Sequence, residues 1–333
     1  MEKLVSVAIV NFNNKSYLER CINSILSQSY KNIEIIFIDN CSSDGSFEHV
    51  SNLFNKGNIK IVKPDNNLGY AGGANFGIEL SSGEYVMIMN PDVILDKDFV
   101  KNCYEFMQGD SEIAAINGKL LKYDFERDLK LDIFDSAGIC VERSRRAYDR
   151  GQNQEDTGQY ENTEVIFGVC GASPFYKRSA LEDIKIGKEY FDEDFFAYKE
   201  DIDLSWRLNL YGYKNMYYPK AIAYHGRALG GSRGGIKNFI NNRKAQSEFL
   251  RGISFRNHYL MLIKNETKES LKGNRFLIFK RFISFIMYSI IFERFNFKYL
   301  LQILKMKNKM VKKREVIISN IETTKENISE LFA

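Results

Sequence analysis

Proline is scarce in this chain, four residues in 333, so a Pro-rich spacer between domains has nowhere to sit. Cysteine is scattered. Cys21, Cys41, Cys103, Cys140 and Cys170 are odd in number and contain no Cys-x-x-Cys pair, which argues against both a zinc site and a disulfide framework. Long apolar runs are missing too: the uncharged stretch Phe282–Phe292 in the tail is 11 residues, short of the ~20 that a spanning helix needs. The N-terminus enters a strand pattern after Lys3 without the charged and apolar regions of a secretory signal, so a cytosolic chain is expected. No internal repeat is present. After the first strand stands Asn11-Phe12-Asn13-Asn14 where a dinucleotide-binding fold places a glycine-rich turn, and that counts against a dehydrogenase.

Apolar material, by contrast, is plentiful. Hydrophobic residues make up 44% of the chain, with 25 Phe and 19 Tyr, enough for a sizeable core in one large α/β domain with an appendage. The net charge of +4 hides an asymmetry. Residues 271–333 hold 13 Lys/Arg against five Asp/Glu, while the remainder carries 34 basic and 38 acidic groups. An acidic body with a basic tail suits an enzyme with a segment for anionic partners. No nucleic-acid-reading motif is present, so membrane lipid is the expected partner of that segment.

The first hundred residues alternate strand and helix. Leu4–Val10, Ile33–Ile38, Ile59–Val62 and Tyr85–Met89 read as strands. Between and after them, Leu18/Cys21/Ile22/Ile25, Phe47/Val50/Phe54, Gly72–Leu80 and Val100/Cys103/Tyr104/Met107 read as helices. This rhythm predicts a Rossmann-like, mostly parallel sheet flanked by helices, with ligands at the carboxyl ends of the strands. Further on, Ile113–Ile116 and Val165–Val169 are strand candidates, residues 143–163 read as a mobile loop, and a helix returns over Asp201–Tyr211. Four glycines in Gly230–Gly235 suggest a hinge between a body (1–235) and a helical, basic region (236–333).

The strand ends carry the chemistry. Asp39 closes the second strand, where a carboxylate has little structural reason to be, and can accept a hydrogen bond from a nucleobase or ribose. Asp44 reads as a helix cap. Asn67-Leu68-Gly69-Tyr70-Ala71-Gly72-Gly73 is a turn whose glycines allow close backbone approach and open a helix with phosphate-binding amides. Asn90-Pro91-Asp92 ends the fourth strand with an oxygen ligand suited to Mg²⁺ or Mn²⁺. The run from Phe191-Asp192-Glu193 to Tyr198-Lys199-Glu200-Asp201-Ile202-Asp203 interleaves carboxylates and aromatic rings, as a tuned base beside a sugar site does. His225 ends a further apolar stretch.

Taken together and in this order, these motifs resemble the family 2 glycosyltransferases of GT-A fold, and most closely their rhamnosyltransferase-like branch. The carriers are Val10-Asn11-Phe12-Asn13, Ile38-Asp39-Asn40, Asn67 to Gly73, Asn90-Pro91-Asp92, Gly171-Ala172 and Phe191 to Asp201. The resemblance implies a hexosyltransferase-type enzyme with a nucleotide-diphosphate donor, dTDP-rhamnose or a UDP-sugar. It implies donor contacts from Asn11, Asn13, Asp39, Asn67, Gly69, Gly72, Gly73 and Asn90. It implies a divalent metal, Mn²⁺ or Mg²⁺, on Asp92 and His225, and Asp201 as the catalytic base of one inverting displacement. Tyr198, Glu200 and Asp203 are acceptor-orienting candidates, with Asp203–Arg207 read as a plain intrahelical pair. Asn90 departs from the family's DxD pattern and adds no charge. The QxxRW motif of processive members is missing, which predicts a single transfer per binding event.

The expected acceptor is a surface-polysaccharide or lipid-linked glycan. The tail's apolar segments with basic neighbours predict helices lying on an anionic leaflet at the inner face of the cell membrane. The alternative is an appendage packed on the body or on a second copy of the chain. Val316–Ala333 reads as a short coiled helix or a frayed end. Two rival functions remain at this level: a binding scaffold that has lost activity, and a sugar nucleotidyltransferase, which would want a basic glycine-rich loop after the first strand.

Overall fold

A computed structural model describes residues 2–54, 59–227, 246–321 and 328–333. The chain opens with β1 (Val5–Asn11), all seven residues buried, as a strand covered on both faces requires. There follow α1 (Lys15–Leu26), β2 (Ile33–Asp39), α2 (Ser46–Leu53), β3 (Ile59–Val62), α3 (Gly69–Leu80) and β4 (Tyr85–Met89). These four strands are parallel, in the order β3-β2-β1-β4. The chain therefore moves outward from β1 to β3 and returns on the other side of β1. At that switch the loops part, and the crevice left at the strand ends is where such sheets hold ligands.

The second half is mixed. It comprises β5 (Val93–Leu95), α4 (Phe99–Met107), β6 (Ile113–Asp124), β7 (Leu129–Ser136), β8 (Ile139–Val141), β9 (Ala147–Asp149), β10 (Glu164–Ile166), β11 (Phe175–Lys177), α5 (Arg178–Ile184), α6 (Glu200–Leu210) and β12 (Lys214–His225). Strand β11 enters antiparallel between β4 and β6, while β12 runs parallel to β6 and takes β5 and β10 antiparallel. The result is a 10-stranded sheet, with β8–β9 as a separate hairpin. Alternation along β1 splits the core: Val5, Val7 and Ile9 face α1 and α4, while Ala8 and Val10 face α3. Asp44 accepts the Ser46 amide at 3.0 Å and the Lys15 amide at 2.9 Å, so the expected cap serves the starts of two helices.

Two expectations change. Residues 143–163 are not simply a loop: they contain β9, and the Arg145 side chain is wholly buried against Glu266 and the Ser270 carbonyl (2.7 Å). A buried guanidinium needs a charged partner, and here it is Glu266, far along the chain; the Arg143 carbonyl accepts as well at 2.9 Å. Nor is the C-terminus frayed, because Phe332 is buried between Phe167 and Trp206 with the Arg145 guanidinium 3.8 Å from its ring centre. The Gly230–Gly235 hinge and the boundary at 235 lie outside the described residues.

The tail is helical: α7 (Glu248–Asn265), α8 (Lys268–Leu271), α9 (Arg275–Phe292) and α10 (Asn296–Ser319), closed by a 3₁₀ turn at Ile328–Leu331. Helices α7 and α10 bury Ile253, Phe255, Leu260, Tyr299, Ile303, Met310 and Ile317 in one core with Trp206 and Phe195 of the body. They approach so closely that a Cβ on Gly252 would lie 1.8 Å from the Tyr299 ring. Helix α9 is different. Phe276, Phe279, Met287 and Ile291 are all more than half exposed along it. No helix among the described residues is long and apolar enough to cross a membrane.

Candidate active site

Asn11 and Asp39 end adjacent parallel strands and stand side by side in the register. The Asn11 amide donates to Asp39 Oδ1 at 3.0 Å and to Ser42 Oγ at 3.1 Å, and Asp39 Oδ2 accepts the Ser42 amide at 3.2 Å. Lys63 Nζ lies 3.9 Å from the same oxygen. Asn13, at φ 57°, accepts the Ser43 amide at 2.8 Å. The three donor candidates are thus gathered at one lip, but Asp39 is wholly enclosed, whereas Asn11 Oδ1 is buried without a hydrogen-bond partner among the described residues. The exposed group beside them is the Phe12 ring, which sequence reasoning carried only as part of a motif.

The glycine turn needs correcting. Gly69, Gly72 and Gly73 read in the sequence as room for a ligand, and in the structure that room holds protein. A Cβ on Gly69 (φ +70°) would meet the Phe196 carbonyl oxygen at 2.4 Å; one on Gly73 would meet Val10 Cγ1 at 2.6 Å. Gly72 lies against Leu68. The amides are also engaged: Leu68 N donates to Asn40 Oδ1 (2.8 Å), Gly69 N to Asn67 Oδ1 (2.8 Å) and Ala71 N to the Phe196 carbonyl (3.1 Å). Close approach of backbone to backbone produces the same glycine pattern as close approach to a phosphate.

Asp92 and His225 do come together. Strand β5 pairs with β12 so that Val93 faces His225, which sets Asp92 Oδ1 3.2 Å from His225 Nε2. On the other side of the ring, Nδ1 lies 2.8 Å from Oδ2 of the fully buried Asp135. Arg227 in turn reaches Asp149 at 2.8 Å and Asp135 at 3.7 Å. Burial works to lower the His225 pKa, but Asp92 and then Asp135 outweigh it and push it up to about 9. For Asp92 burial raises the carboxyl, yet the His225 charge holds it below its ordinary value.

This geometry fits a divalent cation. Between two carboxylates the ring carries both protons, Nδ1–H toward Asp135 and Nε2–H toward Asp92. A cation bound by Asp92 would replace the Nε2 proton while Asp135 kept hold of Nδ1–H, the arrangement that carboxylate–histidine pairs give metal sites. No group of three or more His, Cys, Asp or Glu among the described residues could hold a metal. A cation here would take the rest of its oxygen shell from diphosphate and water. Asp135, Asp149 and Arg227 were missed from the sequence; the only signal was a charge closing the apolar Ile133-Phe134 step of β7.

Asp201 lies in the first turn of α6, where helix amides favour a carboxylate. Its Oδ2 accepts the Gly171 amide at 3.2 Å and its Oδ1 the Ile202 amide at 2.8 Å. The Tyr70 hydroxyl donates to the Gly171 carbonyl at 2.5 Å, and the Asn90 amide to the Ala172 carbonyl at 2.9 Å. One short backbone segment, Gly171-Ala172, therefore bridges the Asn90–Asp92 strand end and Asp201. No ion pair to Asp201 forms among the described residues. Burial raises its pKa, opposed by Lys199 and the two amides. Burial and then Asp201 push neighbouring Glu200 up to about 8, and Glu200 Oε2 has no hydrogen-bond partner among the described residues. Both carboxyls are raised, and Glu200 is the member of the pair that holds a proton at neutral pH.

Tyr198 (φ 70°) is exposed beside this pair. Asp203 points elsewhere. It is wholly buried and binds Lys264 (2.8 Å), Asn265 (2.8 Å) and Arg207 (3.2 Å), so it joins α6 to α7 and is more than half of an intrahelical pair.

The chain matches known proteins along the same lines. It is 27% identical over 223 residues to a poly-beta-1,6-N-acetyl-D-glucosamine synthase of Staphylococcus epidermidis, covering 66% of this chain and 49% of that relative. It thus spans about half the length of the curated relatives it matches. Among solved structures it resembles a mannosyltransferase from Pyrobaculum calidifontis in complex with GDP-Man and Mn²⁺ (TM-score 0.55, 15% identity, 96% of this chain and 86% of that one). It also resembles TarS of S. aureus in complex with UDP (TM-score 0.52, 17% identity, 88% and 73%). Likeness at such identities speaks for the fold, which is that of the GT-A glycosyltransferases. The model described as Glycosyl transferase family 2 matches residues 6–185, more than half of the sequence, and the chain belongs to that family of glycosyltransferases.

Proposed function

We propose that this enzyme moves one sugar per binding event, with inversion, from a nucleotide-diphosphate donor to a hydroxyl of a surface-polysaccharide or lipid-linked glycan. The observation that carries this reading is Asp201, held by two amides and without an ion pair among the described residues, tied through Gly171-Ala172 to the strand end that bears Asp92. Asp201 takes the acceptor hydroxyl proton. The freed oxygen attacks the anomeric carbon from the face opposite the diphosphate, the new C–O bond forms, and the bond to the phosphate oxygen breaks. Held by Asp92 and His225, Mn²⁺ or Mg²⁺ would supply positive charge to the departing diphosphate. Glu200, protonated, keeps a second negative charge away from Asp201. Asn11, Asn13 and Asp39 fix the lip on which the Phe12 ring can stack on a base, Asp39 acting through that lip because its carboxylate is enclosed. Asn67 and the three glycines shape the turn beneath the donor, and Asn90 offers a neutral amide to the ribose.

The donors are dTDP-rhamnose, as the rhamnosyltransferase-like motifs suggest, or a UDP-sugar, which the UDP-bound fold neighbour supports. Incubation with a panel of UDP-, GDP- and dTDP-sugars tests the reading. Release of nucleoside diphosphate from one of them is expected; folded protein that neither turns over nor is stabilised by any of them is a binding scaffold, and the proposal fails.

The same reading divides the chain into a catalytic domain (1–235) and a helical appendage (236–333), and places α9 on an anionic membrane surface. Helices α7 and α10 share the body's core, so the packing alternative accounts for them; α9 packs Phe285 and Ile286 on that core but leaves Phe276, Phe279, Met287 and Ile291 exposed on the same helix as Arg275 and Lys280. Full-length protein should pellet with vesicles containing anionic lipid, less with neutral ones, and be partly released by salt, since each basic residue adds about 1 kcal/mol at such a surface. Replacing Phe276, Phe279 and Ile291 by Ser should abolish the salt-resistant part. Unchanged pelleting of that variant would move the anchor elsewhere.

A further inference from the structure

Three of the four residues before α6 are strained. Phe196, Tyr198 and Lys199 have φ of 64°, 70° and 77°, a region that side chains other than glycine rarely adopt and that persists only where the surroundings impose it. Chain turned this way aims its carbonyls out of the helix ladder, and they need donors from elsewhere. Those of Phe195, Ala197 and Tyr198 all accept from one side chain, Asn257 Nδ2 of α7, at 2.8, 2.9 and 2.9 Å. Arg256 adds the Asp194 carbonyl at 2.7 Å. From the opposite side the Ala71 amide holds the Phe196 carbonyl.

Asn257 is wholly buried, and α7 is itself fixed, by Lys264 to Asp203 and by the fit of Gly252 under Tyr299. Lys313 of α10 holds Asp192 at 2.6 Å, just upstream of the strained segment. Asp201 is the second residue of α6. Its angle beneath the Gly171 amide is therefore set by how residues 196–199 leave the Asn257 clamp.

We propose that the Asn257 carboxamide is a positioning residue for Asp201, acting through the 196–199 segment and touching neither donor nor acceptor. The proposal rests on Asp201 being the base. Three full-length variants test it with whichever nucleotide sugar of the UDP-, GDP- and dTDP-panel is hydrolysed. Asn257→Leu removes the donors at similar volume and should lower kcat about 10²-fold with donor KM within about threefold, as misplacing a reacting group does. Met310→Ala, a cavity in the same C-terminal core, should lower the melting temperature yet leave kcat within about threefold. Asn257→Ser, which keeps one donor and folds more readily, should fall between them. If Asn257→Leu and Asn257→Ser lose stability but keep the kcat of Met310→Ala, Asn257 is only structural and the proposal is overturned. An Asp201→Asn arm separates the two claims. If Asp201→Asn keeps full turnover, the base assignment fails first; if it loses turnover while the Asn257 variants do not, only the positioning claim falls.

Discussion

Turnover by Asp201→Asn is expected to fall about 10²–10⁴-fold, with donor KM nearly unchanged, because an amide cannot take the acceptor proton. The substitution suits the question. Asn keeps an oxygen that can accept the Gly171 amide, now 3.2 Å from Oδ2, so the α6 start should hold. The same assignment fixes the pH dependence. Burial raises the Asp201 pKa above the ordinary carboxylate value, and a base works only when deprotonated. Thus kcat/KM should be lost as pH falls through that raised value, on a limb displaced upward from a free aspartate. Asp201→Asn should lack that limb. A variant with turnover within about threefold of the parent would remove Asp201 from the reaction.

Chelation should bring transfer to background, and Mg²⁺ or Mn²⁺ should restore it. Among the described residues only Asp92 and His225 face one another at 3.2 Å, too few ligands to hold a cation tightly without nucleotide. Binding of metal and donor should therefore be mutually dependent. Asp92→Ala removes the one anionic ligand, and should weaken nucleoside diphosphate far more than nucleoside. His225→Ala loses a neutral ligand and should cost less. Asp135→Asn, one step further out, should lower metal affinity about 10–100-fold by loosening the ring that Asp135 holds at 2.8 Å. Full activity in excess chelator would contradict the assignment of all three residues.

The parallel half of the fold was legible because its strands are continuous apolar runs separated by helical periods. Val5–Asn11 and Ile33–Asp39 are found within a residue of where the pattern puts them. The mixed half was not. Strand β12 carries Pro219 and alternates buried with half-exposed residues, and β11 is three residues long. Asp135 could not be paired with His225 from sequence, since only the β6–β7 and β6–β12 registers bring them together. The glycines of 69–73 were legible as close approach but not as to what. The tail was legible as amphipathic, yet periodicity alone does not say that α7 is buried in protein while α9 packs through Phe285 and Ile286 and leaves Phe276, Phe279 and Ile291 exposed. Arg145 gave no sign of burial at all, because its partner Glu266 lies in another region of the chain.

The central claim is a single displacement at the anomeric carbon with Asp201 as base, and stereochemistry tests it most directly. Proton NMR of the product first formed from an anomerically defined nucleotide sugar should show the configuration opposite to that of the donor. Retention of the donor's configuration would contradict the account.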